Sequence, residues 1–268
     1  MVVYRKTISP FFKSVQNAHA CVVSAPTIHL MSKSTDFIYP VPIMLLRRTL
    51  HRSANFPFNN FLHTSSSGPS YPPVLFVALG NPSPQYDGTR HNVGQWAIEK
   101  MASEAWPRFA PFTNKQLGPL LTSHSPESTH AHVVLAKTTG TYMNILGPPV
   151  AKAWQKFKQQ NSRQNSGREP CLVILHDELQ VPLGKVQIRR RNTSARGHNG
   201  LRSIDKVMGN NYTKLAIGIG KAPSDNVADY VLSKFKPDER KVLETGTMPL
   251  LMDIMEQMAE GRHVHDKV

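Results

Sequence analysis

From Val74 to Met258, short apolar runs alternate with segments of helical period, and no other feature restricts the possible folds of this chain as strongly. VLFVAL (74–79), HVVLAK (132–137), CLVILH (171–176), KVQIRR (185–190) and KLAIGIG (214–220) have the length and β-rich composition of strands. Val93, Trp96, Ala97 and Met101 mark one face of a first helix. Asn144–Gln160 predicts a second, with Asn144 as N-cap and Pro148 and Pro149 tolerated near its start. Leu201, Ile204 and Met208 mark a third. Leu251, Ile254, Met255 and Met258 mark an amphipathic C-terminal helix, after an interruption at Gly246 and Pro249. Strand–helix alternation predicts an α/β fold: a single three-layer α/β/α domain around a twisted, mixed, partly parallel sheet.

In such sheets ligands bind beyond the carboxyl ends of the strands. The first strand runs into GNPSPQYDGTRHNVG (80–94), which gathers Asn81, Tyr86 and His91 where the strand stops. Three further loops each follow a predicted strand and carry a polar side chain that could point into a common crevice: TGTYMN ending at Asn144, HDE with Asp177, and RGHNG with Asn199. Each residue also has a plainer reading. His91 fits a structural role, Asp177 a turn or cap, Asn81 the turn before Pro82, Asn199 a helix cap near Leu201, and Tyr142 packing. LGNPSP lacks the GxGxxG spacing of a dinucleotide fold.

GNPSPQYDGTRHNVG, TYMN, LHDEL, GHNGLRSI and AIGIGKAPSDNVADYVLSKF, in that order, resemble the bacterial-type peptidyl-tRNA hydrolase family over about residues 74–260. The resemblance implies hydrolysis of the ester between a peptide, or an N-blocked amino acid, and the 3′ ribose of tRNA, with no metal or organic cofactor. It implies that His91 activates water, that Asp177 orients His91, and that Asn81 discriminates blocked from free amino groups. It also implies that Asn144, Asn199, Tyr86 and Tyr142 contact the tRNA-linked substrate. Imidazole is the side chain whose unperturbed pKa lies nearest neutrality, so it suits the base that such an ester requires. A non-catalytic relative that binds structured RNA in an organelle is the competing expectation.

The formal charge of +14 favours an anionic partner. Residues 1–72 hold seven Lys/Arg against the single acid Asp36, and the remaining chain holds a balance of +8. In that first segment MLLRRTLHRSANF (44–56) has the Arg- and Ser-rich, acid-poor composition of an organelle transit peptide. A basic tail without structure is the other reading. The expected organisation is therefore an extension over 1–72 and a catalytic domain over 73–268. A mitochondrial matrix location follows if the leader functions, and a cytoplasmic one otherwise. Translation from Met44 would make residues 1–43 upstream sequence.

The sequence departs from the family pattern at Ser83, where a Gly is usual, and in RRRNTSARGHNG (189–200), where glycines are usual. Arg189, Arg190, Arg191 and Arg196 are expected as phosphate contacts on tRNA, against the alternative of a solvated basic loop. Lys185 and Arg202 would extend that patch. Two distant cysteines, Cys21 and Cys171, exclude a disulfide framework, and the His130/His132 and His263/His265 pairs lack the company of a metal site. No apolar run reaches the ~18 residues of a membrane span. A monomer is expected.

Overall fold

The computed structural model describes residues 71–113, 116–125, 129–163, 168–223 and 225–263. The expectations for the extension before residue 71, including the 44–56 leader, a start at Met44 and Cys21, lie outside the described residues.

Six strands form one sheet: β1 Val74–Ala78, β2 Leu121–Ser123, β3 Val133–Lys137, β4 Cys171–Glu178, β5 Val186–Arg189 and β6 Thr213–Gly218. Their order is β2-β3-β1-β4-β6-β5. The four inner strands are parallel, and β2 and β5 pair antiparallel at the edges. β1 is buried at every residue, as a strand covered on both faces must be. Its side chains alternate between two cores. Val74, Phe76 and Ala78 pack with Val93 and Ile98 of α1 (Val93–Lys100) and Leu251 and Met255 of α6 (Met248–Ala259). Leu75, Val77 and Leu79 pack with Val150 and Phe157 of α2 (Gly147–Arg163) and Leu201 and Ile204 of α3 (Asn199–Met208). Fully burying each such Leu, Ile or Phe contributes about 1.5–3 kcal/mol. The three-layer, mixed, partly parallel α/β/α arrangement expected from the sequence is the one observed.

Two short helices complete the chain, α4 (Val227–Leu232) and α5 (Pro237–Val242). A π-helical turn, Leu243–Thr247, joins α5 to α6, so Gly246 and Pro249 do not interrupt the helical path as expected. Pro249 lies in the first turn of α6, directly after the π-helical turn. Asn144 does not cap α2. It lies in a 3₁₀ turn, Met143–Ile145, and α2 begins at Gly147. A Cβ on Gly147 would stand 2.2 Å from Ser203 O, so contact with α3 sets where α2 starts. Cys171 is buried in the first core, and burial pushes its thiol up to about 12, leaving it a packing residue. Among the described residues, no helix is long and apolar enough to cross a membrane.

Candidate active site

The loops at the carboxyl ends of β1, β3 and β4 meet along one edge. Thr138 Oγ1, just after β3, lies 3.0 Å from Gly80 N and 2.9 Å from Gly80 O, which ties two loops together. α1 approaches β4 so closely that a Cβ on Gly94 would stand 2.9 Å from Leu175 O. That approach brings the 3₁₀ turn Arg90–Asn92 over the end of β4. His91 Nδ1 lies 2.7 Å from Asp177 Oδ1, across 86 positions of sequence. Both residues are buried and both line a crevice of about 780 Å³.

A second histidine shares that carboxylate oxygen. His198 Nε2 lies 3.0 Å from Asp177 Oδ1, and its Nδ1 accepts the Leu201 N–H at 3.2 Å, capping α3. The two bonds fix its tautomer: the proton sits on Nε2 and points at Asp177. His91 differs, because its Nδ1 faces Asp177 and, among the described residues, no hydrogen bond is made by its Nε2. Nδ1 of His91 is thus the donor, and Nε2 presents a lone pair. Burial raises the Asp177 pKa, but contact with His91 and His198 outweighs it and holds the carboxyl below its usual range. His176 packs edge-on against the His198 ring at 5.1 Å. Its Nδ1 donates to Asp177 O at 2.7 Å. Burial, and then His198, push its pKa down to about 3, so it stays neutral.

Asn81 is clamped by its neighbours. Its backbone N–H donates to Asn92 Oδ1 at 2.9 Å, its carbonyl accepts from Asn92 Nδ2 at 3.1 Å, and its Oδ1 accepts the Met143 N–H at 2.8 Å. With Oδ1 committed, the Nδ2 donors remain for a ligand in the crevice that Asn81 lines. Asn144 and Asn199 are exposed on the same crevice. Tyr86 and Tyr142 meet edge-on at 6.1 Å, and Tyr142 is 50% exposed. All seven residues named for catalysis or substrate binding therefore line one crevice. Sequence reasoning missed His198, although it lies in the quoted GHNG, because an amide beside it made the more obvious cap. It also missed Asn92 and the α4 wall formed by Val227, Ala228, Val231 and Leu232.

The arginine cluster divides. Arg189 is only 4% exposed; its Nη1 donates to Glu178 Oε2 at 3.3 Å and its Nη2 to Ser194 O. The expectation of a surface phosphate contact at Arg189 is therefore corrected: this guanidinium is spent inside the protein, bracing the loop that follows β5. Arg190 is exposed and Arg191 half-buried. Arg196 lines the crevice, held by Gln187 Oε1 at 3.2 Å with Glu178 Oε2 at 3.9 Å. Its φ of 47° and that of Asn192 at 63° lie in the left-handed region, where the family's glycines would be unstrained. Ser83 takes no such φ, and its Oγ bonds to Asp87 Oδ2 at 2.8 Å. The missing glycine there leaves no strain.

Ligand atoms of His91, Asp177 and His198 lie within 4.8 Å of one another, the one such group of three among the described residues. A cation seated there would have to break both hydrogen bonds to Asp177 and free Nδ1 of His91 of its proton. The set fits proton transfer better than metal ligation.

A family model described as Peptidyl-tRNA hydrolase matches residues 75–267. A peptidyl-tRNA hydrolase of Saccharomyces cerevisiae is 35% identical over 193 residues, covering 66% of this chain and 91% of that protein. One from Kineococcus radiotolerans is 37% identical over 191 residues, covering 69% and 89%. The crystal structure of the Acinetobacter baumannii peptidyl-tRNA hydrolase superposes with a TM-score of 0.54 at 26% identity, covering 76% of this chain and 99% of that one. With the matched region spanning both the sheet and every loop of the crevice, the chain belongs to the peptidyl-tRNA hydrolase family.

Proposed function

We propose that this chain hydrolyses the ester joining a peptide, or an N-blocked amino acid, to the 3′ ribose of tRNA, and so recycles tRNA from prematurely released peptidyl-tRNA. The observation that carries this is the 2.7 Å contact between His91 Nδ1 and Asp177 Oδ1 inside the crevice. His91 Nε2 takes a proton from water as the water's oxygen attacks the ester carbonyl. The imidazolium that forms is stabilised by Asp177, which is already ionised. Asn81 Nδ2 donates to the developing oxyanion, and its fixed orientation means no reorganisation is needed at that moment. The tetrahedral intermediate collapses, and His91 returns the proton to the departing 3′ oxygen. Asn144, Asn199 and the Tyr86–Tyr142 pair hold the acyl and nucleoside ends. Arg190, Arg191 and Arg196, with Lys185 and Arg202, supply charge for tRNA phosphates.

The competing reading, a non-catalytic RNA-binding relative, is not favoured. The base, its orienting carboxylate and all three amides are present together. Matrix targeting rests on the composition of residues 44–56 alone, and fusion of residues 1–72 to a fluorescent reporter tests it. A reporter left in the cytosol would contradict it. A monomer is the proposed state, to be measured by light scattering on the purified chain. The catalytic reading is tested by incubating the full chain with N-acetylaminoacyl-tRNA and with the unblocked ester. Release of tRNA from the first and not the second is expected; equal release or none would refute it.

A further inference from the structure

The turn that carries His91 is tied to one wall of the crevice by a side chain that the reaction does not use. Arg90 is 3% exposed. Its Nη2 donates to Glu239 Oε2 in α5 at 2.8 Å. Its guanidinium carbon lies 4.4 Å from the centre of the Tyr230 ring and 4.8 Å from that of Phe235, so rings of α4 and of the α4–α5 link both pack on it. The backbone follows the side chain: Arg90 N–H donates to Ser233 O at 3.0 Å, and Thr89 bridges to Lys234. Tyr230 is anchored in turn, its hydroxyl donating to Ile219 O at 2.7 Å beyond β6. The same helix places Val227, Ala228, Val231 and Leu232 on the crevice. A single guanidinium therefore connects the residue preceding His91 to the wall that faces His91.

Stability is a poor explanation for a charge at this place. Arg90 Nε and Nη1 are buried without hydrogen-bond partners, and donors left unmet away from water are costly. Apolar side chains of similar volume often replace a buried ion pair without loss of stability. What such a replacement loses is a flat cation fixed at once by two rings and a carboxylate, which defines both distance and angle.

We propose that Arg90 is a positioning residue that sets the spacing between the α4 wall and His91, and through it the fit of the acyl group being released. This rests on the ester-hydrolase reading above. The test is steady-state kinetics of the full chain and its Arg90→Met variant on N-acetylglycyl-tRNA and N-acetylphenylalanyl-tRNA. The expected result is a KM raised about tenfold for the larger acyl group and less for the smaller, with kcat within about threefold and an unaltered pH–kcat profile. Arg90→Lys keeps the charge toward Glu239 and loses the flat double stack, and falls between the two. Should Arg90→Met not fold, Glu239→Gln and Phe235→Leu carry the test, each raising KM about threefold for the larger ester. Folded variants with unchanged KM, or with a KM change independent of acyl size, would overturn the proposal whatever their melting temperature. An active wild type with such variants refutes this proposal alone, whereas a wild type inactive on both esters refutes the hydrolase reading and this with it.

Discussion

Asp177 and Glu178 are consecutive on β4, and the pleat sends them into different company. Asp177 Oδ1 lies within 3.0 Å of two imidazoles, His91 and His198. Glu178 Oε2 lies 3.3 Å from the Arg189 guanidinium and 3.9 Å from that of Arg196. The first acid faces two imidazoles, one of them the proposed base, and in the proposed reaction it stabilises a charge that comes and goes during turnover. The second faces cations that stay charged, so its pairing is constant and shapes the loop leading to His198 and Asn199. Neighbouring carboxylates of the same burial thus have different partners, imidazoles suited to the proposed chemistry in one case and guanidiniums that brace a loop in the other.

That contrast breaks in a definite order. Replacing the base should have the largest effect: His91→Ala is expected to lower kcat about 10³- to 10⁴-fold while tRNA binding is retained, read by single-turnover hydrolysis beside a filter-binding assay. The scaffold acid should fail differently. Glu178→Gln leaves the buried Arg189 without its carboxylate and should cost about 3 kcal/mol of stability in urea denaturation, with kcat reduced less than about tenfold. If Glu178→Gln lost activity as completely as His91→Ala while remaining folded, the division of labour would be wrong.

Acid should reveal the histidine side of the comparison. His176 titrates at about 3 in the folded chain against an ordinary 6.5, so the unfolded chain binds more protons between those values. Stability therefore falls as pH is lowered from 6.5 toward 3. Asp177 adds to the loss at the acid end, because its depressed pKa stabilises the fold only while it is ionised. Urea midpoints measured from pH 7 to 4 should show this slope, and His176→Gln should flatten it. The smallest effect is expected at Arg196. Arg196→Gly relieves a left-handed backbone and should gain about 1 kcal/mol. It should also lower the salt slope of tRNA binding by about one.

Much of this was legible beforehand, for physical reasons. β1, β3, β4 and β6 are inner strands, and burial on both faces writes them as continuous apolar runs. β2, three residues at an edge, carries no such run. α4 and α5 are six residues each, with Val227, Leu232 and Val242 exposed, too short and too mixed to show a period. The strand-end loops pointed to Asn81, His91, Asn144, Asp177 and Asn199, and the resemblance to the peptidyl-tRNA hydrolase family supplied Tyr86, Tyr142 and the roles of all seven. Three consecutive arginines read as one patch, yet a pleated strand alternates sides. Arg189 therefore turns inward, opposite the buried Lys214 on β6, while Arg190 turns out. Burial, with a smaller contribution from Arg189 across the strands, holds Lys214 down to about 8, which no local pattern displays. His198 was hidden for a similar reason: its importance comes from sharing an oxygen with a residue 21 positions away.

In the proposed mechanism Asp177 acts on the reaction only through His91. A double-mutant cycle tests it most directly, comparing single-turnover rates of His91→Ala, Asp177→Asn and the combined variant on N-acetylaminoacyl-tRNA. Asp177→Asn should slow the wild type at least about 10²-fold and add nothing further to His91→Ala. Losses that multiply in the combined variant would contradict it, because the carboxylate would then be acting on the ester by a route independent of the imidazole.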